Sequence, residues 1–147
     1  STDFDRPLDD KGRQDAVSVG QWLVAEGYRP VLALCSASRR TSETLSLLDI
    51  PTDVKRIFTD RLYLAHRERL LAHIHGAEGT TVLLIAHNPG VNEIANLLPR
   101  AGLTAQYSGA TPPGATLVLA FDVDDWKNVH WHSGEIEAHI TPRMLAG

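Results

Sequence analysis

Five consecutive apolar residues, Val82-Leu83-Leu84-Ile85-Ala86, stop abruptly at His87-Asn88-Pro89-Gly90. A run this short, without alternation and bounded by turn residues, predicts a strand buried on both faces. The chain then changes period. Val91, Ile94, Leu97 and Leu98 recur at helical spacing, with Asn88 as the expected cap and Pro89 near the first turn. The same order occurs earlier. Val31 to Cys35 is a second short apolar run, followed by Ser36-Ala37-Ser38 and a helix expected over Arg39 to Leu48, with Ser36 or Ser38 as its N-cap.

The remaining elements fit this alternation. Residues 1 to 11 are polar, contain Pro7 and predict a loop. Lys11 to Glu26 predicts a helix with Ala16, Val19 and Leu23 on one face and Gly27 as its stop. A short strand is expected over Asp53 to Ile57 and a helix over His66 to His75, which carries Leu70, Leu71 and Ile74. Thr104 to Gly114 is rich in Gly and Pro and predicts a long loop. Thr116 to Phe121, Val129 to His132 and Glu135 to Ile140 predict neighbouring antiparallel strands, with Trp126 and Trp131 as packing residues. Strands alternating with helices predict an α/β fold in which helices cover both faces of the sheet, a three-layer α/β/α arrangement. The length of 147 residues suits a single domain over 1–147.

Both strand-to-helix junctions bring polar side chains to the carboxyl end of a buried strand. In open α/β sheets ligands bind outside those ends, and each helix start adds free backbone N–H groups that favour an anion. A guanidinium there can grip two phosphate oxygens at once. Neighbouring helical residues point about 100° apart, so only one of Arg39 and Arg40 can face such a crevice. The formal net charge of -4 argues against nucleic acid or an anionic membrane surface as the partner. No apolar run is long enough to span a membrane and no signal peptide is visible, so a cytoplasmic location is expected. The single cysteine, Cys35, excludes a disulfide within the chain and reads as a small core residue. His130 and His132 would share one face of a strand, with His139 on its neighbour, but no carboxylate or cysteine joins them, and no metal is expected. His73 and His75 lie on a helix and point apart.

Several segments in order resemble the histidine phosphatase superfamily, also called phosphoglycerate mutase-like, and within it the small SixA-type phosphohistidine phosphatases. Ser36-Ala-Ser-Arg-Arg40-Thr-Ser-Glu-Thr44 resembles the family's second arginine motif, and Leu84-Ile-Ala-His87-Asn-Pro-Gly90 its second histidine motif. Arg6-Pro7-Leu8 with Gly12, Asp60-Arg61-Leu62-Tyr63, and Thr111-Pro112 through Trp126 follow the same layout, so the resemblance covers essentially the whole chain. It implies a mixed, mostly parallel sheet and hydrolysis of a phosphoryl group through a phosphohistidine enzyme intermediate, with no cofactor. It also implies a phosphorylated protein histidine or a small phosphomonoester as substrate, and a monomer or dimer. By the same resemblance Arg40 and His87 are the catalytic and phosphate-binding pair, Arg6 and Asn88 line the rim, and Glu68, with Asp60 second, is the candidate general acid.

One part of the family pattern is missing. The strand that ends in Arg-His-Gly or Arg-His-Ala, whose histidine is the nucleophile, is not among these residues. The expectation is that the natural protein has it and that this chain is shortened. The alternative is a catalytically inactive phosphate-binding or regulatory module. An imidazole leaves with a pKa near 6.5 and needs little protonation help, so the lack of a convincing acid leans towards phosphohistidine.

Overall fold

Strand β1 (Leu32–Ser36) is buried along its whole length and organises what surrounds it. The structure, a computed structural model, describes residues 2–102 and 112–146. In chain order the elements are a 3-10 turn at Asp3–Asp5, α1 (Asp10–Ala25), β1, α2 (Arg39–Leu47), β2 (Lys55–Thr59) and a 3-10 turn at Asp60–Leu62. There follow α3 (Arg67–His75), β3 (Val82–Ile85), α4 (Gly90–Leu97), β4 (Thr116–Ala120), a 3-10 turn at Trp126–Asn128, β5 (Glu135–Ile140) and α5 (Pro142–Ala146).

Side chains alternate across a strand, so β1 divides its residues between two cores. Leu32 and Leu34 pack with Leu62, Leu70, Ile94, Leu98 and Val129, under α3 and α4. Ala33 and Cys35 pack with Val19, Leu23, Leu45, Leu48, Ile50 and Val54, under α1 and α2. The result is the expected α/β fold with helices on both faces. The close approach of α1 to α2 depends on Gly20, where a β-carbon would stand 2.2 Å from the Leu48 carbonyl oxygen.

Strand order is β2-β1-β3, all parallel, with Leu32 opposite Lys55 and Val82, and Cys35 opposite Phe58 and Ile85. The helix after β1 covers one face and the helix after β3 covers the other. Adjacent parallel strands whose helices leave in opposite directions open a crevice at their carboxyl ends. That crevice is where the two polar junctions lie.

Strands β4 and β5 form a separate antiparallel pair, with Leu117 opposite His139 and a register irregularity between Val118 and Leu119. Among the described residues no ladder joins β3 to β4. Between them is a cavity of about 1160 Å³ lined by Val82, Leu83, Leu117, Leu119 and Phe121. The apolar run Val82 to Ala86 was expected to be buried on both faces. Instead β3 is half-buried throughout, because one of its edges faces this cavity.

Two further expectations about strands need correction. The short second strand runs over Lys55–Thr59, two residues later than expected. Val129 to His132 is not a strand. His132 takes a left-handed backbone at φ 60, and the backbone N–H groups of His132 and Ser133 donate to the Leu97 and Leu98 carbonyls at 2.6 and 2.9 Å. The segment therefore closes the carboxyl end of α4, whose last carbonyls have no partner within the helix. Most of the expected loop, residues 104–111, lies outside the described residues. No helix among the described residues is long and apolar enough to cross a membrane.

Candidate active site

Strand β1 ends at Ser36, and the chain turns into α2 through Ser38. Ser38 is the N-cap and accepts from the Thr41 backbone N–H. The Thr41 hydroxyl donates to the Ser36 carbonyl at 2.7 Å and lies 2.7 Å from the Ser38 hydroxyl. Ser36, Ser38 and Thr41 are all buried. A buried, mutually satisfied hydroxyl network holds a turn in one geometry, and here it fixes where the first turn of α2 points.

That direction sends Arg40 inward and Arg39 outward. Arg39 pairs with Glu43 one turn on, at 3.1 Å, and its side chain is 58% exposed. The Arg40 side chain is 20% exposed. Its Nη1 donates to the Asp3 carbonyl at 2.9 Å and to the Asp3 carboxylate at 3.2 Å, and its Nη2 reaches the other carboxylate oxygen at 3.4 Å.

His87 follows β3 directly. Its Nε2 lies 2.8 Å from the Ser36 hydroxyl and 3.3 Å from the Ser38 hydroxyl, so the imidazole is anchored to the turn that aims Arg40. Burial pushes its pKa below the ordinary histidine value, and the Arg40 guanidinium adds to the effect against a smaller opposing pull from Asp3. Below β3, Gly90 lets α4 begin against the 62–65 segment, since a β-carbon there would stand 1.9 Å from the Ala65 carbonyl oxygen.

Two residues that the sequence did not single out as site residues complete the cluster. Asp3 accepts from Arg6 Nη2 at 3.0 Å and from the Tyr63 hydroxyl at 2.5 Å, besides Arg40. The Tyr63 ring meets His87 edge to face at a centroid distance of 5.2 Å, and Phe4 at 4.9 Å. The Tyr63 hydrogen bond, then those of Arg6 and Arg40, hold the Asp3 carboxyl far below the usual carboxylate range. The same bond pushes the Tyr63 phenol up, keeping it a donor. Glu43 ties this amino-terminal segment to α2 by accepting from the Leu8 N–H at 2.8 Å. That bond, ahead of Arg39, lowers its carboxyl.

Arg40, His87, Asp3 and Asn88 line one crevice of about 720 Å³ that also reaches Val82, Leu83, Leu117 and Leu119. It therefore shares walls with the cavity between β3 and β4. Arg6 sits at the rim on Asp3, its side chain 62% exposed. The side-chain amide oxygen of Asn88 accepts from the Asn92 backbone N–H at 3.1 Å, at the start of α4. The cap itself is Pro89, reached through a cis Asn88–Pro89 bond. Glu68 is 73% exposed and pairs with Arg67 at 3.1 Å, rather than with any group of the crevice. Cys35 is buried, and burial pushes its thiol up to about 12, the state of an unreactive core residue. Residues 129–132 form no strand and His132 takes a left-handed backbone, so the expected pair of histidines on one strand face does not form. Among the described residues no three metal-ligating side chains gather.

No protein-family model matches the chain. It is 29% identical over 157 residues to an uncharacterised chloroplastic protein of Arabidopsis thaliana, covering 95% of this chain and 69% of that one. It is 33% identical over 98 residues to an uncharacterised protein of Mycobacterium tuberculosis, covering 65% of this chain and 61% of that one. Among solved structures it is similar to a protein assigned as the phosphohistidine phosphatase SixA of Nakamurella multipartitia. The TM-score there is 0.79 at 25% identity, over 96% of this chain and 87% of that one. The protein histidine phosphatase SixA complexed with tungstate shares the fold, with a TM-score of 0.75 at 18% identity over 99% of this chain and 90% of that one. The layered sheet and these likenesses give the chain the phosphoglycerate mutase-like fold of the SixA phosphatases. Among the solved structures it resembles, those of the SixA type cover nearly the whole chain.

Proposed function

We propose that this domain hydrolyses a phosphoryl group through a phosphohistidine intermediate, and that Arg40 and His87 hold the group during transfer. The observation that carries this reading is the anchoring of His87 to Ser36 and Ser38, the turn that aims Arg40 into the same crevice. Phosphoryl transfer asks a protein mainly for positioning and charge stabilisation. The Arg40 N–H groups that Asp3 does not engage suit phosphoryl oxygens. The neutral imidazole of His87 offers a hydrogen bond to another, where charge develops in the transition state. Arg6 and Asn88 act at the rim.

The attacking imidazole belongs to an additional strand seated between β3 and β4. The half-buried apolar faces of both strands and the cavity of about 1160 Å³ between them support that placement. A strand there, parallel to β3, would deliver its last residues beside Arg40. Attack forms a bond from its nitrogen to phosphorus as the bond to the leaving atom breaks. Water then attacks phosphorus and releases the histidine. The carboxyl nearest Arg40, Asp3, is held ionised and is no proton donor. Glu68 stays on solvent. A site without an acid favours a leaving group such as imidazole, and so a phosphohistidine protein over an alkyl phosphate.

The test compares this chain with a form carrying the natural upstream sequence, on an aryl phosphate and on a phosphohistidine protein. Turnover by the longer form alone is expected, faster on phosphohistidine. If neither form turns over and both bind phosphate through Arg40, the domain is a phosphate-binding module instead.

A further inference from the structure

We propose that Asp3 determines which phosphoryl compounds the crevice admits, excluding those with a second anionic group beside the phosphoryl and accepting those whose neighbouring atoms are neutral or cationic. The inference rests on Arg40 being the phosphate seat.

Asp3 is fixed at both ends. Its carbonyl accepts from Arg40 Nη1 at 2.9 Å, and its carboxylate accepts from Arg40, from Arg6 and from Tyr63. Phe4 packs on Tyr63 and Glu43 holds Leu8, so the segment that follows Asp3 is tied down. A carboxylate with this many donors stays in place when a ligand arrives. Arg6 and Arg40 bring two positive charges to the cluster and Asp3 removes one. The net single positive charge suits one phosphoryl group. A second anion on the same ligand would meet the Asp3 carboxylate, which lies on Arg40 itself and lines the crevice. A cationic group next to the phosphoryl would be attracted to that charge instead. Like charges at such separations repel appreciably even near a surface. Asp3 is half-exposed, so solvent reduces the effect without removing it.

Methylphosphonate and phosphonoacetate isolate this term, since they share a phosphonate and differ by one carboxylate. Their affinities are measured by calorimetry on the chain as it stands, on Asp3→Asn, which keeps the shape and one acceptor, and on Asp3→Ala. The native chain is expected to bind methylphosphonate more tightly. Both variants should raise phosphonoacetate affinity about fivefold more than methylphosphonate affinity. Binding of both ligands with an unchanged ratio in the two variants overturns the role of Asp3 and leaves the phosphate seat standing. Binding that is absent, or indifferent to Arg40→Ala, overturns the seat itself and this inference with it.

Discussion

The imidazole of His87 is half-buried between the Ser36 hydroxyl and the Tyr63 ring, with Arg40 close enough to depress its pKa. A histidine whose folded pKa lies below its unfolded value binds fewer protons folded than unfolded. Its contribution to stability is present above pH 6.5 and is lost as the pH falls through the folded value. An anion seated on Arg40 reverses the local charge and favours the imidazolium. The His87 ring resonances should titrate below 6.5 in the free protein and move upward in sulfate, which keeps one charge state over the range. A titration unmoved by sulfate would mean that no anion sits beside this ring. At this scale the sequence was partly legible. His87 and Arg40 stand out because each ends or follows an apolar strand run. Asp3 and Tyr63 did not, because their roles arise from contacts across 37 and 60 residues of chain. The polar stretch before Pro7 gave no periodic signal to read.

Among the elements, α2 carries the site, and its start is set by a buried cap rather than by helix propensity. Removing the Ser38 hydroxyl strips the cap from the Thr41 N–H and leaves the Thr41 hydroxyl short of a buried partner. Ser38→Ala should therefore cost about 2 kcal/mol of stability, read as a lower denaturant midpoint with an unchanged slope. A midpoint shift below about 0.5 kcal/mol would show that the turn is held by other contacts. Elements with strong periodicity were legible. Ala16, Val19 and Leu23, the expected inner face of α1, are all buried, and β5 has the expected bounds. Val129 to His132 misled because alternating apolar and polar residues imitate a strand. Its backbone is instead committed to the end of α4, a tertiary demand that local pattern does not carry.

On the scale of the whole molecule, function follows from topology. The helices after β1 and β3 leave on opposite faces, so the two polar junctions, 51 residues apart at Ser36 and His87, open into one crevice. Alternation of strands and helices made the layers legible. It did not reveal the strand order or that no ladder joins β3 to β4 among the described residues, because an apolar run reads the same whatever lies beside it. The crevice is the central claim, and paired arginine variants test it most directly. Tungstate binding should weaken at least tenfold in Arg40→Ala, the loss of a charged hydrogen-bonding partner. It should stay within about twofold in Arg39→Ala, which removes only a solvent-exposed ion pair. Equal losses in the two variants would contradict the account, since the anion would then be held by the general charge of the helix start and not by the inward-facing arginine.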